Sequence, residues 1–192
     1  EVFKSWHLGS EGYARDKIFS FNTADHIRFI HLALIAHEIS GDSKYLQWSL
    51  LYGRSFANRI IKSSEIIPVA WDNTGKEFFS ADMKNDKEKF LAANHHHFNN
   101  DPMSGVENLV ASGAIYAFGN LYKLSKDEVF LQASKKIVAN LINIISKPYS
   151  DPAAASISFF RNTFLDYSFD NKILEFLDKI PSHKESELLM GI

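Results

Sequence analysis

The sequence predicts an all-α protein built from antiparallel helical hairpins. Three observations carry this expectation. Apolar residues recur at helical spacing through 29–61, the run is broken once at Gly41-Asp42, and the same pattern returns downstream. Asp42, Tyr45, Leu46-Gln47, Ser49, Tyr52, Phe56 and Ile60 have counterparts 85 positions later in Asp127, Phe130, Leu131-Gln132, Ser134, Ile137, Leu141 and Ile145. A register held across a turn and a whole helix is the mark of a structural repeat.

The elements follow in order. Residues 1–22 have no clean period and read as loop with a short helix. Thr23 or Asp25 is placed to cap the first long helix, whose apolar side is Ile27, Ile30 and Leu34 and which stops at Gly41. Asp42 or Ser43 caps a second helix, with Tyr45, Ser49, Tyr52, Phe56 and Ile60 along one stripe. A long connection, 63–104, is expected to be ordered through Phe78, Phe79, Phe90 and Leu91. A third helix, rich in small residues, is predicted over 105–124, and a fourth over 127–146. Asp151-Pro152 is a cap followed by proline at the first helical position, which opens a fifth helix. A shorter one begins at Asp170, 43 positions after Asp127, and heads the third repeat unit. The whole chain, 1–192, is expected to form a single helical-hairpin domain.

Composition excludes several functions. The net charge of −2 gives no electrostatic footprint for nucleic acid and no basic membrane face. No apolar run reaches the roughly 20 residues that span a bilayer. Cysteine is absent, so disulfides, thiolate metal sites and Cys nucleophiles are ruled out and the compartment is left open. A periplasmic or secreted location is the expectation. There is no G-x-S-x-G, phosphate loop or G-x-G-x-x-G.

The turn Ser40-Gly41-Asp42-Ser43-Lys44-Tyr45-Leu46 and its counterpart Ser125–Ala133 resemble the "T-G-D-x-x-Y-L" turn of (α/α)-toroid proteins, the six-hairpin glycosidase-like superfamily. Asp151–Ile157 resembles the inner-helix start of the unsaturated-glucuronyl hydrolase type. The resemblance spans roughly 25–180. It implies an arc or part of an (α/α) toroid, with a further chain or subunit completing the ring. It also implies a carbohydrate-active enzyme of the glycoside hydrolase or polysaccharide lyase kind, acting on a uronate-containing oligo- or polysaccharide. The competing function is a non-catalytic helical repeat that binds a protein or glycan on its concave face.

Toroids bind substrate where inner helices begin, which directs attention to the long loop and to 147–151. Trp71 beside Asp72 suits a sugar platform next to a carboxylate; the alternative is a core-anchoring tryptophan and a turn aspartate. Asp72 and Asp151 are the carboxylate pair for hydrolysis. For β-elimination, His96 or His97 is the base, with Asn94, Asn99 or Arg161 neutralising the uronate. Tyr149, Glu107 and Asn108 stand near inner-helix starts as substrate-binding residues. His95-His96-His97 lacks the i, i+4 spacing of a helical metal site, and no metal or other cofactor is expected.

Overall fold

A computed structural model describes residues 8–9, 12–13, 21–79, 105–144 and 152–178. The fold is all-α. Among the described residues the helices are α1 (Arg28–Ser40), α2 (Ser43–Lys62), α3 (Gly105–Ala111), α4 (Ala114–Ser125), α5 (Glu128–Ile144), α6 (Pro152–Phe164) and α7 (Asp170–Leu177). Two small sheets accompany them. β1 (Leu8–Gly9) pairs with β2 (Gly12–Tyr13), and β3 (Phe21–Thr23), β4 (Ala70–Asp72) and β5 (Glu77–Phe78) form an antiparallel sheet in that order. No described helix is long and apolar enough to cross a membrane.

Two hairpins, α1/α2 and α4/α5, pack side by side, and α6, followed by the short α7, packs on the second. Helix α2 lies on α5, α4 on α6, and α5 on α6. Their apolar stripes merge into one core, with Tyr52, Phe56, Phe118, Phe130 and Phe160 as its largest fully buried side chains.

The 85-residue repeat is reproduced atom for atom in the first two turns. The preceding helix ends on a left-handed residue, Gly41 (φ 69°) or Lys126 (φ 57°). Its N–H returns to the carbonyl of His37 or Tyr122 at 2.8 Å. Ser40 Oγ and Ser125 Oγ each accept the N–H of the aspartate two residues on, at 3.2 Å. Asp42 and Asp127 then accept the N–H of Lys44 and Val129, opening the next helix.

In the third unit the shorter helix starts at Asp170, as the sequence predicts, after a longer turn. The left-handed residue of that turn is Leu165 (φ 53°), and the aspartate that follows, Asp166, accepts the N–H of Ser168 at 2.9 Å. Asp166 thus repeats the turn geometry of Asp127, but it lies in the turn and the helix itself starts four residues later at Asp170. Ion pairs join successive units. Arg54 on α2 holds Asp127, and Lys135 on α5 holds Asp166 at 2.9 Å. The turn aspartates Asp127 and Asp166 are thus each gripped by the second helix of the unit before. Replacing Asp127 by Ala removes both cap and ion pair. We expect it to cost about 1–2 kcal/mol in urea unfolding, with Asp127→Asn keeping most of the cap.

The predicted third helix is broken. Ser112 and Gly113 interrupt it, with Gly113 at φ 75°, the Gly113 N–H bonded to the Val110 carbonyl and the Ser112 N–H to that of Asn108. The glycine ends one helix and starts the next, so α3 leaves the line of α4. The part of the long connection that is described, 63–79, is ordered as expected. Ile67, Val69, Ala70, Trp71 and Phe78 are buried, and Phe78 meets Phe21 edge-on at 4.9 Å. This described part is less irregular than the sequence suggested, because 70–78 is a β-hairpin whose first strand pairs with β3; Phe90 and Leu91 lie outside the described residues.

Candidate functional site

Helix α1 runs away from the three-stranded sheet, turns at Gly41-Asp42, and α2 runs back to it. The sheet and the C-terminal half of α2 therefore share the end of the molecule where α1 begins. Between them lies an open cleft of about 680 Å³. One wall is a face of α2 made by Leu51, Ser55, Asn58, Arg59 and Lys62, at helical spacing. The other is the β4–β5 hairpin, through Trp71, Thr74, Gly75 and Glu77.

The hairpin is held by Asp72. Its Oδ1 accepts from the Thr74 N–H at 2.8 Å, the Thr74 hydroxyl at 2.6 Å and the Lys76 N–H at 3.0 Å. The Asp72 carbonyl accepts the Gly75 N–H at 3.0 Å, and Gly75 takes a positive φ of 93° that a side chain would resist. Partial burial works to raise the Asp72 carboxyl pKa. The Thr74 hydroxyl and the backbone N–H groups of the turn outweigh it and hold the carboxyl below its ordinary value. At neutral pH Asp72 is a carboxylate engaged in turn formation, which suits a base or nucleophile but not a general acid.

Trp71 is only 2% exposed and meets Phe56 edge-on at 5.4 Å. Its indole anchors the hairpin to the core and closes the cleft floor, so it offers no open ring face as a stacking platform. The cationic side of the cleft is Arg59 and Lys62. Arg59 Nη1 donates to the Asp72 carbonyl at 3.2 Å, which fixes the guanidinium against the hairpin. Burial lowers its pKa, while Tyr52 and Asp72 act in the opposite sense. It remains a cation with part of its hydration removed, and such a group gains more from an anionic partner than a fully solvated one does.

The other sequence candidates fall elsewhere. Glu107 is exposed and Asn108 half-buried on α3, and neither lines the cleft. Arg161 sits at the opposite end of the molecule, near the α6–α7 turn. It forms a two-pronged ion pair with Asp170 at 2.7 and 2.8 Å and lies over the Tyr167 ring, clamping that turn. Asn94, His96, His97, Asn99, Tyr149 and Asp151 lie outside the described residues, as do His95 and Asp101. Helix α6 does start at Pro152, as the Asp151-Pro152 pair predicts.

Sequence reasoning missed Arg59 and Lys62 because charges on an amphipathic helix ordinarily mark its solvated face. The available signal was the polar set Ser55, Asn58, Arg59 and Lys62 on one face of a helix otherwise bound for the core. Among the described residues no group of three or more His, Asp or Glu is arranged to hold a metal ion. Compared with protein-family models, curated proteins and solved structures, the chain gives no match.

Proposed function

We propose that this is a carbohydrate-active helical-repeat protein that holds an acidic, uronate-type saccharide in the cleft between α2 and the β4–β5 hairpin. The observation that carries the reading is the pairing of Arg59 and Lys62, nearly one helical turn apart, with the hydrogen-bonding side chains of Ser55, Asn58 and Thr74. Two adjacent cations match a sugar carboxylate, and amide and hydroxyl groups match sugar hydroxyls. A cleft of this size accommodates a small oligosaccharide.

Chain cleavage is the further part of the proposal. A cation pair on a uronate carboxylate stabilises the carbanion formed when a base such as His96 or His97 takes the C5 proton; the C4–C5 double bond then forms as the glycosidic C4–O bond breaks, and the departing oxygen takes a proton from water or from the protonated base. Hydrolysis needs two facing carboxylates, and Glu77 supplies one in the cleft itself. Binding without cleavage is the second reading, favoured by Asp72 being committed to its turn.

The test is a panel of uronate and neutral polysaccharides, with affinity measured beside unsaturated-product absorbance and reducing-sugar release. Uronate polymers should bind in a salt-dependent way, and Arg59→Ala or Lys62→Ala should weaken binding by about tenfold or more. Equal binding of neutral and acidic polymers, or full affinity in both variants, would overturn the assignment. Binding without either product would select the non-catalytic form.

A further inference from the structure

The last turn of α2 carries Arg59 and Lys62, the two cations of the cleft, and Lys62 is the final residue of the helix. A final turn ordinarily frays, because the last four carbonyls of a helix have no partner within it. Ser63 satisfies the first of them here. Its N–H reaches the carbonyls of Arg59 and Ile60 at 2.9 and 3.3 Å, and its buried hydroxyl donates to that of Ile60 at 2.7 Å. These bonds alone make an adequate helix end.

A second clamp comes from another element. Lys136, on α5, donates from Nζ to the carbonyl of Ile61 at 3.2 Å and to that of Ser63 at 2.5 Å. These carbonyls stand on either side of Lys62, so one ammonium holds the backbone before and after it. A cation in this position also matches the partial negative charge of a helix C-terminus. Lys136 is half-buried, and loss of hydration lowers its pKa. The charge of Glu77, on the opposite wall of the cleft, acts in the raising direction. The ammonium therefore stands where the two walls meet, although Lys136 does not itself line the cleft.

The two cleft cations depend on this clamp unequally. Arg59 has its guanidinium fixed by the Asp72 carbonyl. Lys62 is exposed, so its aim is set chiefly by the backbone that carries it. We infer that Lys136 is a positioning residue of the saccharide cleft, which by holding the carbonyls of Ile61 and Ser63 fixes the backbone from which Lys62 reaches an acidic sugar. This rests on the uronate reading above and adds to it a residue that acts through Lys62 without touching the ligand.

A double-mutant cycle on the full chain tests this, with uronate-polymer affinity measured well below the melting temperature of each variant. Lys136→Met keeps the apolar stem, removes the ammonium and should weaken binding about tenfold. In a Lys62→Ala background the same change should have little further effect, because the group it positions is gone. A merely structural role would lower the melting temperature and leave the affinity of the folded molecules, and hence the cycle, unmoved. Wild-type affinity in Lys136→Met overturns the inference, and so does an equal loss with and without Lys62. A wild type that binds no uronate polymer overturns instead the reading on which the inference rests. Should Lys136→Met fail to fold, Lys136→Gln provides the same cycle.

Discussion

Lowering the pH from 6.5 to 4 should remove about 3 kcal/mol of folding stability, and most of that loss should disappear in a His26→Phe variant. His26 lies in the 3-10 turn before α1, is 2% exposed, and stands near Phe29 with ring centroids 6.5 Å apart. Loss of hydration lowers its pKa from 6.5 to about 4, with the neighbouring Asp25 charge acting in the raising direction. The sign follows from proton counting. Between about 4 and 6.5 the unfolded chain binds a proton at this imidazole and the folded chain does not, so stability rises with pH across that window and is lost as pH falls through it. Each pH unit is worth about 1.4 kcal/mol when one proton is involved, which gives the total.

A second, lower window belongs to the carboxylates. Asp42, Asp72, Asp127, Asp166 and Asp170 all have pKa values below the ordinary 3.8, so their contribution is present above that value and is lost as pH falls through the depressed ones. The two windows separate in an acid titration of the urea midpoint. An unchanged slope between pH 4 and 6.5 in His26→Phe would show that some other group drives the loss.

The parts of this fold that were legible in the sequence are those set by local chemistry. Gly41 in the left-handed position and Asp42 or Asp127 as caps need only their own neighbours, and the stripes of α2 and α5 need only helical periodicity. The start of the third unit's helix at Asp170 was legible too, whereas the conformation of the turn before it was not, because its left-handed residue is Leu165, a type that no turn rule favours. The β4–β5 hairpin was hidden for a different reason. Trp71 gains its strand conformation by pairing with Asn22, 49 positions away, and its burial from Phe56 on another helix. Pairings at that separation leave no local signature. The same holds for the cleft. Arg59 becomes part of a site only because the hairpin folds over α2, so its role is written in a long-range contact and not in its own segment.

Gly105→Ala should be among the most destabilising single-methyl additions in this protein, at about 3 kcal/mol and a loss of roughly 10 °C in the melting temperature. The stretch 105–119 is rich in small residues, and the structure divides the three glycines there into three cases. Gly113 supplies a positive φ. A Cβ on Gly119 would meet the Phe159 ring edge at 2.5 Å, a close approach of α4 to α6 in which the ring can swing to relieve part of the clash. A Cβ on Gly105 would fall on the carbonyl oxygens of Ile67 and Pro68, which are backbone and have no rotamer to change. Either α3 withdraws or the segment 67–68 shifts, and that segment leads directly into β4. The strain therefore passes to Trp71 and to the hairpin that walls the cleft. Two readouts follow. Thermal unfolding should rank Gly105→Ala well below Gly119→Ala, and uronate-polymer affinity should fall in the former although residue 105 does not line the cleft. If Gly105→Ala proves as mild as an ordinary surface substitution, the close seating of α3 on 67–68 is not what holds the hairpin in place.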